Sequence, residues 1–369
     1  MTYSLLVGSD AFWRQAQADI GAARSRVLVQ AMTFEADAAG GAVGQAILES
    51  RAADRRVLVD QFTRYVISDR FIRSPAYWLD AGFRGEVQAT NAMFRGLVKD
   101  GVGVRTTNPM GPLLTSFAFR NHKKLIVADD VAYIGGINFS DHNFEWWDLM
   151  LRIDSKPIAD RLAQDFDDTF ASRAGSWSAV FGDLKLYGFD GRDNAPGFAE
   201  IIGGIERAKA SICVISPYLT FPFVEALERA SARGVAVQLI TPLPNNKPTV
   251  RDYLFRAATR AGFDLRLTPE MIHLKGMLLD GSTLILGSSN FDFVSYHAEE
   301  EFVAVVSDPA LAEDFRRRVI DPALQDATPP GTQQPSRWAG LRSHAALKTV
   351  EWVIARQGKG ARSATDWRY

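Results

Sequence analysis

The chain repeats itself, in order. Residues 20–30 and 205–215 both read as a helix end running into a β-branched strand. Residues 46–60 and 226–239 each read as an amphipathic helix, a short break and a buried strand. Leu162–Phe166 and Leu311–Phe315 each follow a proline, Pro157 and Pro309, which fits the first turn of a helix. Three echoes in one order point to a duplicated α/β chain, each half with a mixed or mainly parallel sheet flanked by helices. The expected division is a first half over 1–172, a connector rich in Gly, Ser and Asp over 173–195, a second half over 196–325 and a linker with a tail helix over 326–369.

At 369 residues there is room for two domains of ordinary size. The net charge of −1 provides no overall basic field to draw the chain to nucleic acid or an anionic bilayer, so any such attraction must come from local patches. The single cysteine, Cys213, excludes a disulfide within the chain and reads as a small buried hydrophobe in a strand. The first ten residues carry neither the basic nor the long apolar segment of a signal peptide. No apolar stretch is long enough to span a bilayer, so any work on membranes is expected from the surface.

Two of the five histidines share one pattern. His122-x-Lys124 is followed by Asp129, and His273-x-Lys275 by Asp280, at the same spacing. Each then runs into a second strand, a glycine-containing turn and an asparagine: Gly135-Gly136-Ile137-Asn138, and Gly287-Ser288-Ser289-Asn290. A carboxylate follows, Asp148 in the first half and Glu301 in the second. Lysine is scarce, 10 residues against 32 arginines, so two such matches are not a product of composition.

The spacing has a chemical reading. Alternate residues of a strand share a face, which puts each histidine beside its lysine. Imidazole is a nucleophile or proton carrier near neutral pH, and ammonium neutralises phosphate oxygens. Asn138 and Asn290 can donate further hydrogen bonds to those oxygens. Asp148 and Glu301 are suited to accept from an imidazole N–H and fix its tautomer. Asp129 and Asp280 complete the motifs at the turn after each His–Lys segment, where a supporting role is expected rather than proton transfer.

On these residues the chain resembles the phospholipase D superfamily, and within it the bacterial cardiolipin synthase and phosphatidyltransferase branch. The resemblance covers roughly residues 3–320, including residues 27–35 and the Ser216-Pro217-Tyr218 strand end. It implies two pseudo-symmetric α/β/α halves packed around one shared active site. It implies that one histidine attacks phosphorus to give a phosphohistidine while the other protonates the leaving alcohol and then activates an incoming alcohol or water. His122 is taken as nucleophile and His273 as general acid, with the reverse assignment open. It implies no cofactor and no metal, and the sequence offers no cluster of carboxylates or histidines that reads as a dedicated metal site. The implied substrate is a glycerophospholipid at a membrane surface, handled by a cytoplasmic protein at the inner membrane face and acting as a monomer.

Three departures leave choices open. Many cardiolipin synthases begin with two membrane-spanning helices, and these are missing here. Residues 61–120 mix aromatic and basic side chains: Phe62, Arg64, Tyr65, Arg70, Phe71, Arg73, Tyr77, Trp78, Phe83, Arg84, Phe94, Arg95 and Lys99. They read either as a lipid-contacting segment or as a helical insertion packed on the core. The tail helix over 339–356, with Leu341, Ala345, Val350, Trp352 and Val353 available for an apolar face, reads either as packed on the body or as lying on a membrane. His142 and His297, a few residues after Asn138 and Asn290, read as structural or near the site, and His344 as uninvolved. The competing activity is a metal-independent nuclease-type phosphodiesterase, which the net charge and the lack of a basic stripe with stacking aromatics disfavour. A phosphate-binding scaffold without activity is disfavoured by both motifs being intact.

Overall fold

The computed structural model describes residues 1–72, 74–111, 116–331, 335–357 and 364–367. They form two compact units, one of residues 1–175 with residues 364–367, the other of residues 176–357.

In the first unit the chain runs β1 (Thr2–Val7), α1 (Ser9–Ala22), β2 (Arg26–Ala31), α2 (Ala38–Glu49), β3 (Asp54–Asp60), the two-residue strands β4 (Val66–Ile67) and β5 (Arg70–Phe71), then α3 (Pro75–Leu79), α4 (Ala81–Lys99) and β6 (Gly103–Thr107). It continues with β7 (Leu125–Ala128), β8 (Val131–Gly135), α5 (Asp141–Glu145), β9 (Leu149–Asp154) and α6 (Lys156–Phe170). The sheet order is β1-β9-β8-β7-β2-β3-β6. β2, β3 and β6 are parallel, and the other pairs are antiparallel. The sheet is therefore mixed rather than mainly parallel: β6 is the last strand reached by a helical crossover, and β7 to β9 then fold back as a meander.

The second unit repeats the plan. β10 (Trp177–Phe181) and β11 (Leu184–Asp190) precede α7 (Ala195–Arg207), β12 (Ser211–Ile215), α8 (Phe223–Ala232), β13 (Ala236–Pro242), α9 (Pro248–Ala261) and β14 (Asp264–Thr268). Then come β15 (Gly276–Leu279), β16 (Thr283–Gly287), α10 (Phe293–His297), β17 (Glu300–Val306), α11 (Pro309–Phe315), α12 (Asp321–Asp326) and α13 (Arg337–Arg356). The order β10-β11-β17-β16-β15-β12-β13-β14 matches the first sheet, with β11 in the place of β1. The last strand, β18 (Thr365–Asp366), pairs with β6 at the edge of the first sheet.

Two expectations are corrected. Residues 173–195 are not simply a connector, because they contain the β10–β11 hairpin, and β11 pairs along its length with β17. The Gly and Asp content that suggested a linker belongs to the Gly182-Asp183 turn and to Gly188, where a Cβ would meet the Trp177 indole at 2.3 Å. The tail helix packs with Gly340, Ser343, Leu347 and Ile354, not with the apolar residues named from sequence. Gly340 sets that contact, since a Cβ there would sit 2.8 Å from the Arg256 side chain on α9.

The segment 61–120 is largely packed. Phe83 and Phe94 are buried on α4, Phe94 against Phe34 and Trp367. Arg70 lies over the Phe83 ring at 4.2 Å, and Arg64 over Trp367 at 4.9 Å. Trp78 and Leu79 stay exposed. Arg73 and the Tyr77 side chain lie outside the described residues.

Candidate active site

The two motifs take up equivalent positions in their units. His122 and Lys124 lie in the extended run entering β7, and His273 and Lys275 in the run entering β15, each just ahead of the strand rather than within it. Each histidine is 6% exposed, and both lysines are buried. Lys124 Nζ donates to the His122 carbonyl at 2.7 Å. Lys275 Nζ donates to the His273 carbonyl and lies 2.7 Å from the ring Nδ1. A buried ammonium tied to each histidine, by its carbonyl in both units and beside the ring in the second, is a ready counter-charge for an anion.

Each glycine turn is required by the strand beside it. A Cβ at Gly135 would come 2.3 Å from the Leu149 carbonyl oxygen, and one at Gly287 would come 2.1 Å from that of Phe302. One residue on, the units diverge. A Cβ at Gly136 would strike the Asp148 carboxylate at 2.3 Å, whereas Ser288 donates its hydroxyl to Glu301 Oε2. Ser295 donates to Glu301 Oε1 at 2.8 Å, so the longer carboxylate is gripped at both oxygens. Asp148 Oδ1 accepts the Leu149 N–H at 2.8 Å. Asn138 Oδ1 accepts the Thr33 N–H at 3.3 Å, and Asn290 is held through its carbonyl by Ser216 Oγ at 3.0 Å.

Asp129 and Asp280 sit elsewhere, both in the left-handed region with φ of 49°. Asp129 accepts the N–H groups of Arg24, Ser25 and Arg26 at 2.8–3.0 Å. Asp280 accepts those of Lys209, Ala210 and Ser211 at 2.8–3.0 Å. Each thus clamps the start of the neighbouring strand, β2 or β12. Burial opposes the Asp129 charge, but its three N–H bonds hold the carboxyl below the ordinary aspartate range, and the matching bonds do the same for Asp280.

Further residues shape the half-sites. Asp60, at the C-terminal end of β3, is buried and accepts from Arg120 Nη1 at 2.6 Å and from the Asn121 N–H at 2.6 Å. This fixes the segment immediately before His122. Burial still outweighs Arg120 and keeps the Asp60 carboxyl above its usual range. Lys123 pairs with Asp165 of α6 at 2.7 Å, anchoring the residue between His122 and Lys124. In the second unit the Tyr218 ring stands edge-on to His273 at 6.0 Å, with Lys247 Nζ 3.9 Å above Tyr218. Asp292, an N-cap that accepts the Ser295 N–H at 2.8 Å, has its carboxyl raised by burial. His142 bonds Ser140 and Asn143, and Asn143 accepts from Asn138 at 3.4 Å. His297 faces Glu351 of α13 at 3.5 Å, and His344 stacks on Tyr253.

The chain is a duplicated α/β protein with one buried His–Lys pair entering the same strand of each sheet. The family described as cardiolipin synthase, PLD-like domain, matches residues 17–170 and 201–320, and the chain belongs to it, within the phospholipase D superfamily. It is 27% identical over 251 residues to the minor cardiolipin synthase ClsB of Bacillus subtilis, covering 60% of this chain and 62% of that one. It is 24% identical over 348 residues to cardiolipin synthase B of Salmonella typhi, covering 85% and 78%. The chain therefore spans less than two thirds of the Bacillus relative's length. The phosphatidylserine synthase structure from Haemophilus influenzae shares the fold, with a TM-score of 0.70 at 16% identity over 96% of this chain and 94% of that one.

Proposed function

We propose that the chain is a phospholipase D-type phosphatidyltransferase that exchanges or hydrolyses the head group of a glycerophospholipid. The observation that carries this is the recurrence of one buried His–Lys–Asn set at the same place in two sheets. In this reading both sets act on one phosphorus. His122 Nε2 attacks it, forming an N–P bond as the P–O bond to the leaving alcohol breaks, and His273 donates the proton that alcohol needs. An incoming alcohol then loses its proton to His273 and attacks phosphorus opposite the N–P bond, on the side that the first alcohol left, and the N–P bond breaks to release His122. Lys124, Lys275, Asn138 and Asn290 neutralise and hydrogen-bond the phosphate oxygens throughout. Asp148 and Glu301 orient the imidazoles, and Asp129 and Asp280 clamp the starts of β2 and β12, the strands beside those that the imidazoles enter. The names of the relatives support the lipid substrate, and no cofactor or metal enters this scheme.

We place this activity, carried out by a monomer, peripherally at the inner face of a membrane. Among the described residues no helix is long and apolar enough to cross one. On α13, the face opposite Gly340 and Leu347 exposes Trp338, Leu341, Arg342, Trp352, Val353 and Arg356, a mix of aromatic, aliphatic and cationic groups suited to an anionic interface.

The test is incubation with phosphatidylglycerol vesicles and a primary alcohol. The wild type should form the phosphatidyl-alcohol, and His122→Ala and His273→Ala should each reduce its yield at least a thousandfold. Untouched vesicles with DNA cut in the presence of EDTA would replace the lipid reading with the nuclease one.

A further inference from the structure

The first unit holds an acidic cavity of about 370 Å³ that the chemistry above does not use. Six carboxylates line it: Glu35, Asp37, Asp69, Glu86, Asp141 and Glu145. Two of them are occupied in folding. Asp37 caps α2 through the Gly40 N–H at 3.0 Å and accepts the Asp141 N–H at 2.6 Å, while Asp141 accepts the Ala39 N–H at 2.7 Å. Glu86 is partly answered by Arg70 at 3.2 Å, which also pairs with Asp80.

Glu35 is different. It is 2% exposed, and its Oε2 accepts the Ser68 N–H at 3.1 Å. Its other oxygen, Oε1, is buried without a hydrogen-bond partner. An orphaned buried acceptor is costly and calls for a donor, and Glu35 is one of the residues that line the cavity. Burial pushes the carboxyl up to about 7, with Asp37, Asp69 and Glu86 adding to the rise.

The donor is better supplied by an organic ammonium than by a metal ion. A bound Mg²⁺ or Ca²⁺ gathers its oxygens within 2.0–2.6 Å of itself. Among the described residues no three of these carboxylates bring oxygens within 4.8 Å of one another. The carboxylates are instead spread around a space far larger than one ion, with Ile67 and Trp146 as apolar wall. That pattern suits separate N–H donors on a short hydrocarbon body, with an aromatic ring for the cation to face.

We propose that this cavity binds a small organic cation carrying primary ammonium groups, one of which donates to Glu35 Oε1. The proposal stands apart from the phosphatidyltransfer reading and is read by binding alone. The ammonium can belong to a free amine or to an amino head group of a lipid, and the test separates the two.

Calorimetric titration of the full chain at pH 6.5 uses spermidine, ethanolamine and MgCl₂ as probes. A vesicle arm asks whether bilayers containing phosphatidylethanolamine displace bound spermidine. The expected result is saturable spermidine binding with proton release, because a cation lowers the Glu35 pKa. The other charges facing Glu35 are Asp37, Asp69 and Glu86, with Arg70 and His142 beyond them. Glu35→Gln should weaken binding at least tenfold and abolish the proton release. Asp69→Asn, at an exposed residue with φ of 56° that Asn tolerates, should weaken it about threefold and carries the test if Glu35→Gln fails to fold. Displacement by the aminolipid vesicles identifies a head group as the source, and displacement by ethanolamine alone a free amine. No binding of either amine, binding unchanged in both variants, or Mg²⁺ held in their place would overturn the proposal.

Discussion

Arg120 Nη1 donates to Asp60 Oδ1 at 2.6 Å, and both side chains are almost wholly buried, 3% and 0% exposed. This ion pair spans sixty residues and fixes the chain directly ahead of His122. Removing one member leaves an uncompensated buried charge, which typically costs about 3–5 kcal/mol. Arg120→Met should therefore destabilise the first unit by that order in urea unfolding, followed by a probe specific to that unit. The double variant Asp60→Asn/Arg120→Met should lose less than Arg120→Met alone, since no charge is stranded. Equal losses would show that the pair does not hold the segment.

Asp129 and Asp280 are expected to matter for stability and not for proton transfer. Replacing either with Ala strands three N–H groups at a strand start and places Ala at positive φ, for about 1–3 kcal/mol. Asn retains an acceptor and tolerates that φ, so Asp280→Asn should cost less than Asp280→Ala. Both carboxyls are held below their ordinary range, so their contribution is present above the unfolded aspartate value of about 3.9 and is lost as pH falls through the lowered folded value. Thermal melting between pH 2 and 5 should show a shallower acid loss in Asp129→Asn/Asp280→Asn. The pH profile of turnover should be unmoved in that variant.

Glu35 works in the opposite direction. Its folded carboxyl is raised from 4.5 to about 7, so the folded state holds the proton more tightly than the unfolded chain. Stability from this group is full below about pH 4.5 and falls as pH rises through 7, by up to about 3 kcal/mol. Glu35→Gln should remove that decline, and urea midpoints at pH 5 and pH 8 should then converge. A decline that persists unchanged would assign it to other groups.

What the sequence made legible was chemistry that depends on residue type and short spacing. His122, Lys124, His273 and Lys275 could be found because few residues match the pattern twice. The duplication was readable because helix and strand periods recur in order. Contacts made by the fold were not readable. Nothing local ties Asp60 to Arg120, or Ser288 and Ser295 to Glu301, because hydroxyls and carboxylates of those types abound on any surface. The β10–β11 hairpin was hidden because Gly182 and Gly188 mimic linker composition. The tail helix misled because its small residues, Gly340 and Ser343, face inward while its large apolar ones face out.

That outward face gives a further prediction. Trp338 is 76% exposed and Trp352 56% exposed, with Arg356 4.2 Å from the Trp352 ring. Replacing both tryptophans with Ser should leave the melting temperature within a degree or two, since neither contributes to the core. Co-sedimentation with phosphatidylglycerol vesicles should fall at least fivefold. Unchanged sedimentation would remove α13 from the account of membrane binding.

In the proposed scheme one imidazole becomes covalently bonded to phosphorus while the other moves protons. Rapid quenching at high pH during turnover of phosphatidylglycerol, followed by peptide mass spectrometry, reads this directly. The expected result is a phosphatidyl adduct on His122 in the wild type, its absence in His122→Ala, and turnover lost in both His122→Ala and His273→Ala. An adduct on His273 instead would exchange the two roles. Full turnover in either alanine variant, or turnover with no adduct on either histidine, would rule out the phosphohistidine route.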